Sequence, residues 1–381
     1  MKIPSRTMSL GLGVMALGAI VAQGAAPVIT STAMVPRFTI QSSLGITNQI
    51  QYCTDLSQTN WLVLTNLVVT QSPYRFVDAD APPAPQRFYR VLVLGTNSPP
   101  PSSMALIPAG PFVMGDTLDG DSTALPLHTN QISAFYMDKY EVTKVLWNDV
   151  YNWAISRGYV FQYGADRKAN NHPVYNVTWY DCLKWCNARS EKEGRRPAYY
   201  TDPDQTVVYR TAGNVSPYVN WNSGYRLPTE AEWEKAARGG VSGQRFPWGY
   251  TITWGEANYS ANPSAYPYDW NSSSGYNPAF NDGVEPYLSP VGSFPANGYG
   301  LYDMAGNVSE WCWDWFDWPY PSGSQTDPRG PTGGYERVIR GGSWGWAASW
   351  CRAAFRTGGG SLNYRPGSGL IGFRSVLPPG Q

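Results

Sequence analysis

From Gly240 onward the sequence is loop-rich and carries no helix signal, while Gly, Pro, Trp and Tyr recur throughout. A chain of this kind cannot build a helical bundle. It must rely on short strands, turns and long ordered loops pinned by aromatic side chains. The whole sequence shares the bias, with 39 Gly, 32 Pro, 17 Trp and 26 Tyr. At 381 residues it can hold one large domain or two unequal ones around a sizeable core. Lys+Arg and Asp+Glu balance at 28 each, which leaves no basic field to recruit nucleic acid or an anionic membrane surface.

Three helices are legible before Gly240. The first is expected to start at Thr143 and to carry Leu146, Val150 and Trp153 on one face. A second starts at Thr178, where Asp181 completes a box-like cap, and stops at Gly194. In the third, Thr229 caps, Glu232 follows three residues on, Trp233 and Ala236 face inward, and Gly239 and Gly240 end the helix.

The N-terminus reads as an export signal over residues 1–24. Lys2 and Arg6 precede an apolar run from Leu10 to Ala22 that is too short to span a bilayer, with small residues at a cleavage site. No later run could span a membrane, so the expected address is periplasmic, cell-surface or extracellular. Residues 27–96 hold short alternating or β-branched runs at 37–41, 49–53, 61–64, 67–70 and 87–93, separated by turn residues, and read as a small all-β sandwich-like module. Residues 97–103 form a polar Pro/Ser linker, and a second domain runs over 104–379. Five cysteines, Cys53, Cys182, Cys186, Cys312 and Cys351, leave at least one thiol unpaired within the chain.

Four segments carry a resemblance: Arg226-Leu227-Pro228-Thr229-Glu230-Ala231-Glu232-Trp233, Gly306-Asn307-Val308-Ser309-Glu310-Trp311, Arg340-Gly341-Gly342-Ser343-Trp344, and Ile371-Gly372-Phe373-Arg374. In this order they make residues 104–379 resemble the formylglycine-generating enzyme, or sulfatase-modifying factor, family. The resemblance implies an α+β, C-type-lectin-type domain with few helices and many loops. It also implies oxidation of a client sulfatase's cysteine by a copper(I)-binding pair spaced C-x4-C. Counted from Gly341-Gly342-Ser343, the second cysteine of that pair falls on Cys351 and the first on Trp346. One thiolate opposite an indole cannot make a two-coordinate bis-thiolate centre, so copper is not expected. Cys312 and Cys351 are expected to form a disulfide or two buried thiols. Cys351 stays catalytic only if activity survives by another route.

The resemblance also implies a structural calcium held by the side chains of Asp303 and Glu310 and the carbonyls of Gly306 and Val308. Hard oxygen ligands in a Gly-allowed loop suit that ion. A second, weaker site would use Asn258, the Tyr259 carbonyl, Asp282 and the Val284 carbonyl. A related family of sulfoxide synthases holds iron with histidines, but His128 and His172 stand far apart and lack the companion domain. Ser343, Trp344, Trp346 and Trp350 mark the family groove, with Trp313, Trp315, Trp318 and Tyr320 near it; exposed indole faces bind sugars and anchor peptides. The expectation is thus a calcium-stabilised binding domain for a peptide or glycan, with a divergent oxidase acting on a sulfatase client as the alternative.

Overall fold

The structure, a computed structural model, describes residues 28–379 except 30–36, 42–46, 56–60, 69–72, 79–86, 96–101, 212, 214 and 362–368. The export segment and most of the linker lie outside the described residues. The chain divides into two compact units between Pro101 and Ser102.

The described residues of the first unit form two β-sheets. One sheet orders Val28–Ile29, Arg37–Gln41 and Tyr74–Val77; the other orders Leu62–Val68, Thr47–Cys53 and Phe88–Gly95. Ile40, Ile50 and Tyr89 form its buried centre. The runs at 61–64 and 67–70, expected as two strands, are one strand, Leu62–Val68. Thr65 and Asn66 pair with Ile50 and Gln49 instead of turning, so polarity alone did not break the ladder. Tyr74–Val77 escaped the sequence reading.

Among its described residues the second unit carries three α-helices, α1 (Lys144–Ile155), α2 (Trp179–Lys192) and α3 (Glu230–Ala237). Each begins at the expected cap. Thr143, Thr178 and Thr229 accept the N–H of Leu146, Asp181 and Glu232, and in α3 the Glu232 carboxylate returns a bond to the Thr229 N–H. On α1 the period is right but the phase shifts by one residue. Trp147, Val150 and Ala154 are buried, whereas Leu146 and Trp153 lie at the core's margin, with Arg157 over the Trp153 ring. Helix α2 is buried almost throughout, charged residues included. Asp181 pairs with Lys184 at 2.7 Å, and Arg189 pairs with Asp138 at 2.8 Å while lying over the Tyr225 ring.

Against the helices lies a four-stranded sheet ordered Thr357–Ser361, Glu336–Arg340, Ser309–Trp315 and Ile371–Gly372, whose last pair is parallel. Smaller sheets join Val376–Leu377, Phe135–Asp138 and Met104–Ile107, and Gln325–Thr326, His128–Ile132 and Gly110–Met114. These elements, few helices among strands and loops, give the α+β architecture expected. Where α3 meets the large sheet, the interior is laced with ion pairs: Arg226–Glu232, Arg238–Glu234, Arg340–Glu234, Arg356–Glu230 and Arg374–Glu310. A buried carboxylate is costly unless a partner stands within hydrogen-bonding reach, and here each has its arginine.

Candidate functional site

The turn that opens the site needs glycine twice. Gly341 and Gly342 both have left-handed backbones (φ 94° and 71°), and a Cβ on Gly342 would sit 2.8 Å from the Cys351 sulfur. This close approach seals Cys351 from solvent. The residue is 0% exposed among Phe246, Ile252, Tyr259, Ala305 and Ala348. Burial, aided by the charge of Asp269, pushes its thiol well above the usual range, so it is not a thiolate at neutral pH.

Trp346 stands five residues before it on a pinned backbone. Its N–H donates to the Ser343 carbonyl at 3.0 Å and its carbonyl accepts from the Ser260 N–H at 2.9 Å. The ring is half-buried, 4.1 Å from Trp350 and tilted 48° to it; Trp350 in turn lies 4.8 Å from Phe355. Ser343 is fully buried, with its Oγ lacking a hydrogen-bond partner. Trp344, expected in the groove, belongs to the core: it is 4% exposed, packs with Leu288 and Val308, and donates its Nε1–H to the Gly369 carbonyl. Trp313 is enclosed by Trp179, Tyr199 and Trp221, and Tyr320 is buried with its hydroxyl on Glu230, whereas Trp318 is exposed. Only Trp346 and Trp350 of the four groove residues therefore offer ring surface.

Cys312 does not approach this place as a partner thiol. It lies in a different apolar cluster, with Trp233, Met304 and Val338, and both cysteines are free and buried. Of the two arrangements expected for the pair, two buried thiols is the one found.

The residues expected to bind calcium divide into two kinds. Both oxygens of Glu310 are already taken: Arg374 donates to them at 2.7–2.9 Å and the Trp233 Nε1–H at 2.8 Å. Asp303 is different. Its left-handed backbone (φ 57°) turns the loop, Oδ2 accepts the Gly292 N–H, and Oδ1 is buried without a partner. Glu141, buried nearby, accepts from Asn307 Nδ2 and the Val308 N–H. Burial first, and the Asp303 and Glu310 charges next, push the Glu141 carboxyl well above the usual range. Asp303 is pushed up to about 6, chiefly by burial. Sequence reasoning did not single out Glu141; nothing in Phe135–Val142, which also holds Asp138 and Lys139, sets it apart.

At the second expected site Asn258 and Tyr259 are core residues. The Asn258 carbonyl accepts the Asn307 N–H, and the Tyr259 carbonyl accepts from Trp254. Asp282 and Val284 are exposed, and the Lys168 ammonium bridges the Asp282 carboxylate (2.7 Å) and the carbonyls of Val284 (3.3 Å) and Pro286 (3.1 Å). The oxygens that would hold a metal thus already face a cation of the chain's own. The histidines have separate partners, Pro126 O for His128 and Asn171 for His172.

The fold agrees with two independent likenesses. The sulfatase-modifying factor enzyme 1-like domain matches residues 93–378. The chain belongs to this family. It is 35% identical over 292 residues to the formylglycine-generating enzyme of Streptomyces coelicolor, covering 70% of this chain and 87% of that one. It is 34% identical over 225 residues to chaperone protein LppX of Paenibacillus barcinonensis, covering 56% and 70%. In structure it resembles Treponema denticola variable protein 1, with a TM-score of 0.55, 29% identity, and coverage of 72% and 95%. The family fold thus recurs under names that denote an enzyme and under names that do not. Among the described residues of this member, no helix is long and apolar enough to cross a membrane.

Proposed function

We propose that this sulfatase-modifying-factor-like chain is an exported binding protein that does not make formylglycine. The observation that carries the reading is the exchange at the cysteine pair: an indole at 346, and at 351 a single thiol that burial keeps protonated. A soft-metal centre needs two accessible thiolates, and neither position supplies one. The same exchange leaves Trp346, Trp350 and Phe355 as a rigid aromatic face, and anchors of this kind carry most of the energy in peptide recognition. The 48° tilt presents ring edges rather than one flat platform, which favours a peptide side chain over a stacked sugar at this face.

Calcium, where bound, would be held on the Asp303 side of its loop and would favour the ionised form of the Asp303 carboxyl, which burial disfavours. The unpartnered Asp303 Oδ1 fits an oxygen-seeking cation; Glu310, committed to Arg374, does not. The expected signature is a melting temperature that falls in chelator and returns with calcium but not with magnesium. An unchanged melting temperature would remove calcium from the account.

The binding reading is tested by panning a random heptapeptide display library against the signal-free protein and against Trp346→Ala. Sequences enriched on the wild type and lost on the variant are expected. Equal enrichment on both would remove the aromatic face from the account.

A further inference from the structure

A cavity of about 380 Å³ opens between the His128–Ile132 strand, the start of α3, and the loop that follows the Ser309–Trp315 strand. None of its lining residues belongs to the Gly341–Cys351 segment, and the volume falls within the range of small-molecule sites. Its walls are apolar and stiff: Trp315 with Pro319, Pro321, Pro328 and Pro331. Trp315 is held in place by the Arg337 guanidinium, 3.6 Å from its ring centre, and Pro321 and Pro331 are exposed at the lip. Gly330, in a left-handed conformation, lies so close over Asp314 that a Cβ there would fall 2.7 Å from the Asp314 Cβ.

The polar groups that line it are of a mixed kind: Arg329 and Asp317, both exposed, and Gln325 stand toward solvent, and Asn130, His128, Asp314 and Glu230 lie deeper. Asn130 lines the cavity, is 0% exposed, and keeps its Oδ1 without a hydrogen-bond partner, while its Nδ2 reaches only the Met114 sulfur at 3.3 Å. His128 places Nδ1 2.9 Å from the Pro126 carbonyl, which can only accept, so Nδ1 carries a hydrogen and Nε2 is left as the ring's second polar atom. Asp314 accepts the Glu230 N–H on Oδ2. Burial first, and the Glu230 charge next, push its carboxyl up to about 8, so near neutral pH it adds an O–H donor rather than a charge. Glu230 is already neutralised by two bonds from Arg356 at 2.7 Å. An ammonium ligand has only donors and a carboxylate only acceptors, whereas each hydroxyl of a polyol is both.

We propose that this cavity is a ligand site for one neutral sugar ring of a glycan. Its hydroxyls hydrogen-bond to Asn130 Oδ1 and His128 Nε2, and its apolar face lies against the Trp315 and proline walls. The site is separate from the aromatic face at Trp346 and does not depend on it.

Saturation-transfer NMR on the signal-free protein tests this, with free glucose, galactose, mannose and N-acetylglucosamine as the probes. At least one sugar is expected to show transfer that weakens by roughly tenfold in affinity when the acceptor is removed in Asn130→Leu. Gln325→Trp, at a half-exposed position on the cavity wall, should abolish transfer by filling the mouth without touching the core. Trp346→Ala should bind sugar as the wild type does, and each variant's melting curve reports whether it has folded. No transfer from any of the four sugars overturns the proposal. So does transfer that survives Gln325→Trp, or that disappears in Trp346→Ala instead.

Discussion

The corner at Glu310 and the face at Trp346 are neighbours joined by backbone hydrogen bonds, Gly306 N–H to the Gly341 carbonyl and Trp344 N–H to the Asn307 carbonyl. They have nevertheless diverged in kind. Around Glu310 the polar side chains are tied into the scaffold, with Arg374 gripping the carboxylate and also donating to the carbonyls of Asp138, Lys139 and Tyr302. Around Trp346 rings pack on rings, and the ionic contacts of that segment belong to Arg352, which meets Asp119 at 3.3 Å and Asp121 at 2.8 Å. Cys351 lies in an apolar cluster, and the indoles of Trp346 and Trp350 pack against each other in the same segment. Two adjoining segments of one fold can therefore be held by different means, one by buried ion pairs and the other by ring packing.

If that contrast is right, the largest loss comes from the corner. Arg374→Ala strands a buried carboxylate and frees three carbonyls, and should cost about 3–5 kcal/mol or prevent folding. Denaturant unfolding of the purified variant reads this directly, and a loss below about 1 kcal/mol would break the comparison. Cys351→Ser should act on stability alone. A hydroxyl in place of the sulfur is costly to bury among apolar side chains, with only the Gly306 N–H beside it, at about 1–3 kcal/mol, with peptide capture unchanged once the protein is folded.

A third effect is conditional on pH. The Asp314 carboxyl is raised from its ordinary value of 3.8 to about 8, so the folded state holds a proton that the unfolded chain releases. The folded state binds more protons across that window, so this group's contribution to stability is lost as pH rises from about 4 to about 8. Asp314→Asn keeps an acceptor for the Glu230 N–H and cannot ionise. Melting curves should show the variant gaining on the wild type with rising pH, and parallel curves would contradict the assignment. The smallest effect is expected at the surface. Lys168→Met should barely move the melting temperature, yet it frees the oxygens of Asp282, Val284 and Pro286, so a calcium-dependent stabilisation should appear beyond any in the wild type. Identical calcium titrations of the two proteins would show that Lys168 does not stand in for the ion.

Much of this was readable from local signals. The three caps are threonines with their partners at fixed spacing, and the Gly341-Gly342 turn announces itself by composition. What stayed hidden depends on contacts far apart in sequence. That Trp344 is core while Trp346 offers ring surface follows from Gly369, Tyr276 and Tyr287 closing over the former. That Glu310 is gripped by Arg374, sixty-four residues on, has no local signal. The unpartnered Asn130 Oδ1 became visible only when distant segments enclosed it. The one-residue phase shift on α1 has the same origin, because Trp147 is drawn inward by stacking on Trp185 and by edge contact with Phe373.

The most direct measurement incubates the signal-free protein with copper(I), oxygen and a peptide bearing Cys-x-Pro-x-Arg, with an active family member as control, and reads the peptide cysteine by mass spectrometry. The account predicts an unmodified cysteine where the control yields the aldehyde. Conversion by this protein that vanishes in Cys351→Ser would contradict it, and would mean that the buried thiol opens to do chemistry beside Trp346.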